Sequence, residues 1–184
     1  YCATCDGAFF RNKDIVVVGG GDAAVEEGLY LTRFVRLVTI VHRRDKFRAT
    51  PVVQEHAFAN SKIKVIWNAV VEEIKGGQVV ESVKLRDTVK GATQEIPASG
   101  VFIYVGTKPN TAFLGDLLQL DAQGYIPADE RTHTSAPGIF AAGDVRRKAL
   151  RQVVTAVSDG AIAAVEAEKY VEAQREAGVT SGRK

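Results

Sequence analysis

Asp14-Ile15-Val16-Val17-Val18-Gly19-Gly20-Gly21-Asp22-Ala23-Ala24 decides the fold. A short apolar run leads directly into three glycines and then into a segment, Asp22 to Val35, with apolar spacing at Val25 and Leu29 and at Leu31 and Val35. That order predicts strand, tight turn and helix. A second apolar run, Leu37 to Val41, completes a β-α-β unit whose strands are parallel and joined by a right-handed crossover. Such a sheet is expected to be buried on both faces.

Working outward, Pro51 to Ala59 is expected to form a helix opening at proline. Ile63 to Trp67, Val70 to Ile74 and, after a Gly76-Gly77 turn, Val79 to Leu85 are expected strands, forming a β-meander inserted into the sheet. Val101 to Val105 is a further apolar strand ending at Gly106-Thr107-Lys108-Pro109, where a domain boundary is placed, giving domains 1–107 and 108–184. The second part is loop-rich around Gly124, Pro127 and Pro137, and its apolar pattern recovers at Gly138 to Asp144. Arg151 to Gln174 has helical spacing, with Val153, Val157, Ala161, Ala164, Val165 and Val171 on one side. Residues from Ala177 onward are expected to fray. No repeat of solenoid period is present, and the fold class is α/β.

Composition narrows the function. With 46% hydrophobic and 25% charged residues over 184 positions, disorder is excluded and a sizeable core is affordable. A net charge of +2 is too small to make nucleic acid or an anionic membrane the main partner. No apolar run approaches the roughly 20 residues that a bilayer span requires, and no secretory signal is visible. A cytoplasmic protein is expected. Met is absent and the sequence opens on Tyr1, so a processed, excised or incompletely represented N-terminus is expected.

The two cysteines form Cys2-Ala3-Thr4-Cys5. A bridge across so short a loop restrains little of the unfolded chain, so a purely structural role would stabilise the fold only weakly. The spacing suits a thiol pair that cycles, or half of a zinc site. Zinc needs four ligands, and His42, His56 and His133 stand isolated. Redox chemistry is therefore favoured over metal binding.

Gly19-Gly20-Gly21-Asp22-Ala23-Ala24 fits G-x-G-x-x-G/A between a strand and a helix, the context that a dinucleotide fingerprint requires. Gly19 permits the tight turn, Gly21 lets the backbone approach a pyrophosphate, and Ala24 allows close packing of helix on strand. The helix N-terminus offers free N–H groups to the anion. Asp22, Ala23 and Glu26, at the start of this helix, join the candidate cofactor contacts. The bland alternative is a glycine turn without a ligand. About 20 residues on, where an NAD site places an acid for the ribose hydroxyl, the chain has His42-Arg43-Arg44-Asp45-Lys46-Phe47-Arg48. Guanidinium forks match a 2′-phosphate, so Arg43, Arg44 and Arg48 favour NADPH over NADH, and His42 joins the candidate cofactor contacts. Without the glycines the same run would read as a solvated loop.

Taken together, Tyr1 to Gly7, Gly19 to Asp22, His42-Arg43-Arg44 with Arg48-Ala49, and Gly138 to Val145 with Arg151-Gln152 resemble the low-molecular-weight NADPH-dependent thioredoxin reductases. The resemblance extends from the first residue to about Ala173. It implies a Rossmann-like NADPH domain followed by the C-terminal part of a second Rossmann-like domain that binds FAD, with electrons passing from NADPH through FAD to the dithiol and on to thioredoxin. By the same resemblance, Cys5 is the thiol nearer the flavin and engages thioredoxin, Cys2 closes the pair, and Asp6 is the acid–base group. A carboxyl beside the sulfurs could carry the proton that exchange requires; the plainer role for Asp6 is a turn residue ahead of Gly7.

The resemblance further implies that Asp144 bonds the ribityl chain of FAD, with Gly143 before it among the cofactor-binding residues. It also implies that Arg151, Gln152 and Val153 meet the flavin at the start of the last helix, where the helix dipole would favour negative charge on the ring. Asp144 could instead merely end a strand. Gly106 and Pro109 match the family's turn at the end of the central domain. Thr107 to Asn110 would be one hinge of a rotating domain, and a homodimer is implied for the intact enzyme. The N-terminal half of the FAD domain, with its own glycine fingerprint, has no counterpart in these residues, so a chain of these residues alone is expected to hold FAD poorly. The alternatives are an NADP-binding module without turnover, or a reductase of another protein disulfide, as in the peroxiredoxin-reducing flavoproteins.

Overall fold

A computed structural model describes residues 2–181 and divides the chain into two compact units, 1–107 and 108–184. The first unit opens with a short helix α1 (Ala3–Asp6) and a 3-10 turn (Gly7–Phe10). Four parallel strands follow in the order β3-β2-β1-β7, namely β1 (Asp14–Gly19), β2 (Leu37–Val41), β3 (Ile63–Ile66) and β7 (Val101–Tyr104). Helices α2 (Asp22–Leu31) and α3 (Pro51–Ala59) make the crossovers β1-α2-β2 and β2-α3-β3. A separate antiparallel sheet holds β4 (Ala69–Lys75), β5 (Ser82–Asp87) and β6 (Thr93–Pro97).

The continuous apolar run of β1 has its physical cause in these three layers. Ile15 and Val17 face α2 and α3 in a core with Val25, Leu31, Val38, Ile40 and Ala57. Val16 faces the opposite way, into a second core with Val41, Ala69, Val83, Leu85 and Ala98. Alternate residues of one strand thus bury against helices on one side and against the antiparallel sheet on the other.

Several expected boundaries move. Ile63 to Ile66 is the edge of the parallel sheet and not the first strand of the meander. The meander is completed by β6, which the sequence conceals: Thr93, Gln94 and Glu95 are exposed, so this edge strand carries no apolar signal. β5 begins at Ser82 because Val79 lies in the exposed turn, and β7 ends at Tyr104. α2 stops at Leu31, where the Thr32 hydroxyl donates to the Leu29 carbonyl; Val35 is buried after the chain has turned.

The second unit has little regular structure before α4 (Val153–Ser181), only a small core of Leu118, Ile126 and Ala141 and 3-10 turns at Ala112–Leu114 and Gly143–Val145. α4 starts later than Arg151 and continues past Gln174; residues 182–184 of the expected frayed end lie outside the described residues. Its expected apolar side is exposed within this unit, at Val153, Val157, Val165 and Val171, whereas Asp159 and Glu166 are buried.

Gly19 shows how narrowly β1 and β7 fit. Its φ is +150°, and an added Cβ would press on the Tyr104 carbonyl and stand 2.6 Å from Ala24 Cβ. Gly19→Ala is expected to lower stability by about 1–3 kcal/mol, a cost typical of a strained backbone, as measured by denaturant unfolding.

Candidate dinucleotide pocket and disulfide site

The strand order reverses at β1, which has β2 on one side and β7 on the other. In open parallel sheets, ligands bind outside the carboxyl ends of the strands at such a point. A cavity of about 400 Å³ lies there, lined by the ends of β1 (Val18, Gly19), β2 (Val41) and β7 (Ile103, Tyr104), by His42, Arg43 and Arg48, and by the start of β4 (Ala69).

The glycine turn and the basic loop are tied together. Gly21 is the N-cap of α2 with extended backbone and no capping side chain, and a Cβ placed on it would meet open space. The Arg48 N–H donates to the Gly20 carbonyl at 2.6 Å, and the Thr50 N–H donates to Asp22 Oδ1 at 2.7 Å. That bond from Thr50 holds the Asp22 carboxyl below its usual pKa range. Asp22, expected as a cofactor contact, therefore anchors the basic loop through one oxygen.

His42 is buried, with its ring against Gly20, leaving no room there for any side chain on that glycine, and beside Phe47 and Trp67. Burial, followed by the positive charge of Arg48, pushes its pKa below the ordinary value, and its Nε2 has no hydrogen-bond partner within the described residues. Arg43 and Arg48 are exposed and line the cavity, whereas Arg44, equally exposed, is not among its lining residues. Ala23, Glu26 and Gly106 are exposed and likewise lie outside the lining, Gly106 with φ +103° beyond the end of β7.

Cys2 and Cys5 are joined as a disulfide, with their Cα atoms 5.3 Å apart. Cys2 caps α1 by accepting the Cys5 N–H on Sγ at 3.1 Å, and its carbonyl accepts the N–H of Asp6. Cys5 is exposed, Cys2 and Asp6 half-buried. The Ala3 N–H donates to Tyr104 Oη at 3.1 Å, which fixes α1 to β7.

In the second unit, Gly143 (φ +78°) and Asp144 form the short 3-10 turn, with Asp144 exposed. The turn is held from behind by Asp159, whose carboxylate accepts from Gly143 N at 3.0 Å, Arg146 Nη1 at 2.6 Å and Lys148 Nζ at 2.6 Å. Arg151 lies over the Tyr125 ring at 4.1 Å and donates to the Asp144 carbonyl. Gln152 precedes the first residue of α4, and Val153 is 82% exposed. Burial alone would raise the Asp159 pKa, but the contacts to Lys148, Gly143 and Arg146 together bring it below its usual value. Its pairing therefore stabilises the fold fully above the unfolded carboxyl value of about 3.9, and that stability is lost as pH falls through the lower folded value. Asp159→Asn is expected to remove this loss, so that unfolding followed from pH 5 to pH 2 shows a shallower acid limb than the unaltered chain.

Residues 1–160 match the profile of the pyridine nucleotide-disulphide oxidoreductases. The chain belongs to this family. Among its relatives in the pyridine nucleotide-disulphide oxidoreductase family are proteins named thioredoxin reductase, from Listeria innocua at 58% identity over 96% of this chain and from Bacillus subtilis at 53% over 96%. The chain spans 56% of the length of each. A solved thioredoxin reductase from Streptococcus pyogenes superposes with a TM-score of 0.87 at 52% identity, covering 94% of this chain and 57% of that one. These similarities agree with the resemblance and with the Rossmann-like fold expected from the sequence.

For this member of the oxidoreductase family, sequence reasoning missed Tyr104, the anchoring role of Asp22 and the Asp159 hub. Tyr104 left a faint trace: it is the one polar-tipped residue in the apolar strand Val101 to Val105. Asp159 left none, because its partners come from a loop that no periodicity describes. Among the described residues, no helix is long and apolar enough to cross a membrane, and no group of side chains is arranged to hold a metal ion.

Proposed function

We propose that this chain carries the nicotinamide-binding and disulfide-bearing part of a thioredoxin-disulfide reductase that uses NADPH and FAD. Residues 1–107 are the NADPH domain and 108–184 the C-terminal segment of a discontinuous FAD domain. The observation that carries the assignment is the placement of the Cys2–Cys5 disulfide and the β1/β7 pocket in one compact unit, where Tyr104 is among the residues lining the pocket and its hydroxyl accepts the N–H of Ala3, which lies between the two cysteines. The names of the relatives support thioredoxin as the protein substrate.

The pocket suits NADPH. Gly21 leaves open space at the N-terminus of α2 for a pyrophosphate, and His42 Nε2 is a buried polar atom without a hydrogen-bond partner among the described residues, in a residue that lines the cavity. Arg43 and Arg48, together with Arg44 of the same loop, would hold the 2′-phosphate, and Ala23 and Glu26 belong to the start of α2. For FAD, the turn at Gly143 and Asp144 and the segment Arg151, Gln152 and Val153 adjoin an exposed apolar face at Val153, Val154 and Val157. When bound, NADPH supplies a hydride and FAD relays the electron pair to the sulfurs.

The chain's own residues then act on that pair. Two electrons open the Cys2–Cys5 bond to two thiolates, and Asp6 is placed next to Cys5 to take and return a proton. One thiolate attacks a sulfur of the partner's disulfide, forming a mixed disulfide and releasing the partner's first thiolate. The second thiolate displaces the partner, restoring the Cys2–Cys5 bond and leaving the partner fully reduced. Thr107 to Asn110 serves as a hinge between the two domains. The enzyme is a cytoplasmic homodimer, and with a net charge of +2 the chain has no strong field for nucleic acid or an anionic membrane.

The test is NADPH oxidation by the full-length, FAD-loaded enzyme with oxidised thioredoxin. One disulfide reduced per NADPH consumed is the expected result. Binding of NADPH with no thioredoxin disulfide reduced would make it a binding module and overturn the assignment.

A further inference from the structure

The basic loop from His42 to Thr50 has no helix or strand of its own to fix its course. Among the described residues, no salt bridge engages Arg43, Arg44 or Arg48. The direction in which each guanidinium leaves the chain is therefore set by the backbone that carries it. The far end of the loop is held by the Arg48 N–H on the Gly20 carbonyl and the Thr50 N–H on Asp22. Its near end, where Arg43 and Arg44 stand, is held from the antiparallel sheet.

Three successive carbonyls accept bonds there. That of His42 takes the Ala69 N–H at 3.0 Å, that of Arg43 takes the Thr88 hydroxyl at 3.4 Å, and that of Arg44 takes the Asn68 N–H at 3.1 Å. Peptide units are planar, so holding three in a row fixes the backbone angles of Arg43 and Arg44 between them. Asn68 makes this possible. In an extended strand neighbouring N–H groups point to opposite sides, whereas Asn68, with φ +51°, turns its own N–H and that of Ala69 toward the same segment. Left-handed backbone is costly for most side chains and is tolerated by Asn and Gly. Thr88 holds Asn68 in turn: its N–H donates to the Asn68 carbonyl at 2.6 Å, and its hydroxyl, 3.0 Å from that carbonyl, shares its proton between Asn68 and Arg43. Thr88 follows the last residue of β5, Asp87, whose carboxylate closes the turn into β6 by accepting the N–H groups of Val89 and Lys90 at 2.8 Å.

We propose that Asn68, backed by Thr88, is a positioning residue for the arginine pair, and that the antiparallel sheet sets, through it, the preference for a nucleotide bearing a 2′-phosphate. The proposal deepens the assignment of the pocket to NADPH and rests on it. Charge-assisted bonds to a phosphate depend on direction, so a shift of the loop backbone weakens the hold on the phosphate. NADH has no such group and loses nothing. The sulfurs are untouched, so kcat is expected to stay.

The experiment uses the full-length, FAD-loaded enzyme, unaltered and as Asn68→Ala, Asn68→Gly and Thr88→Val, with thioredoxin reduction followed on NADPH and on NADH. Asn68→Ala, a smaller side chain that resists the left-handed conformation, is expected to raise KM for NADPH by about fivefold, while KM for NADH moves by less than about twofold. Asn68→Gly, which adopts that conformation freely, is expected to bring KM for NADPH back to within about twofold of the unaltered value. Thr88→Val is expected to raise it by about threefold, the effect of losing one exposed hydrogen bond. Calorimetric titration with NADP⁺ and NAD⁺, which needs no turnover, is expected to give the same ratios. Asn68→Gly as impaired as Asn68→Ala, both nucleotides affected alike, or Thr88→Val without effect overturns the positioning role and leaves the NADPH assignment standing. Should Asn68→Ala not fold, Thr88→Val decides alone. An unaltered enzyme that binds NAD⁺ as tightly as NADP⁺ overturns both, and one that binds with the expected ratios but leaves thioredoxin oxidised overturns the proposed function alone.

Discussion

Replacing Cys2 and Cys5 together by Ser in the full-length, FAD-loaded enzyme is expected to lower thioredoxin reduction by at least about a thousandfold, as removal of a nucleophile does elsewhere. NADPH affinity is expected to stay unchanged. Serine keeps the size of each side chain, and the pocket lining includes neither cysteine, so the nucleotide loses no contact. The exchange loses both sulfurs, and a hydroxyl cannot accept an electron pair by breaking a bond to its neighbour. Measuring NADPH oxidation with thioredoxin beside oxidation with ferricyanide, which takes electrons directly from a flavin, separates the two effects. Loss of the first with retention of the second is the expected pattern.

Replacing Arg43 and Arg48 by Ala is expected to raise KM for NADPH by about tenfold for each guanidinium removed and to leave KM for NADH nearly unaltered. Charge-assisted hydrogen bonds to a phosphate are among the stronger polar contacts, and only NADPH carries the 2′-phosphate. Arg43 and Arg48 line the cavity and Arg44 does not, so Arg44→Ala is expected to have the smallest effect of the three. Steady-state kinetics with both nucleotides decide the matter. Equal effects on NADPH and NADH would mean that these side chains hold the loop in shape and do not read the phosphate.

The parts that the sequence made legible are those controlled by local chemistry. The glycine turn needs backbone freedom at Gly19 and space at Gly21, and both leave their mark as missing side chains. β1 shows as an unbroken apolar run because helices cover one of its faces and a second sheet covers the other. β6 was hidden because an exposed edge strand needs no apolar residues, and its pairing to β5 comes from tertiary position. The apolar stripe of α4 was visible, but the face that this unit buries carries Asp159 and Glu166. Periodicity reports which side of a helix prefers to leave water, not which side a given unit covers.

The candidate site divides along the same line. Cys2, Cys5, Gly19, Gly21 and the arginine run are read from spacing alone. Which arginines face the cavity depends on two bonds, Arg48 N–H to Gly20 and Thr50 N–H to Asp22, that set the loop's course. Asp22 resembles a ligand contact in sequence and serves as the loop's anchor in the fold. Tyr104 meets the disulfide helix across a sequence separation of 101 residues, a distance over which no local pattern carries information.

The most direct test of the whole account is an anaerobic titration of the full-length, FAD-loaded enzyme with NADPH, without thioredoxin, followed by alkylation and mass mapping. The account predicts that reducing equivalents from NADPH appear as two alkylated thiols, at Cys2 and Cys5. NADPH oxidised with the Cys2–Cys5 disulfide still closed would contradict it.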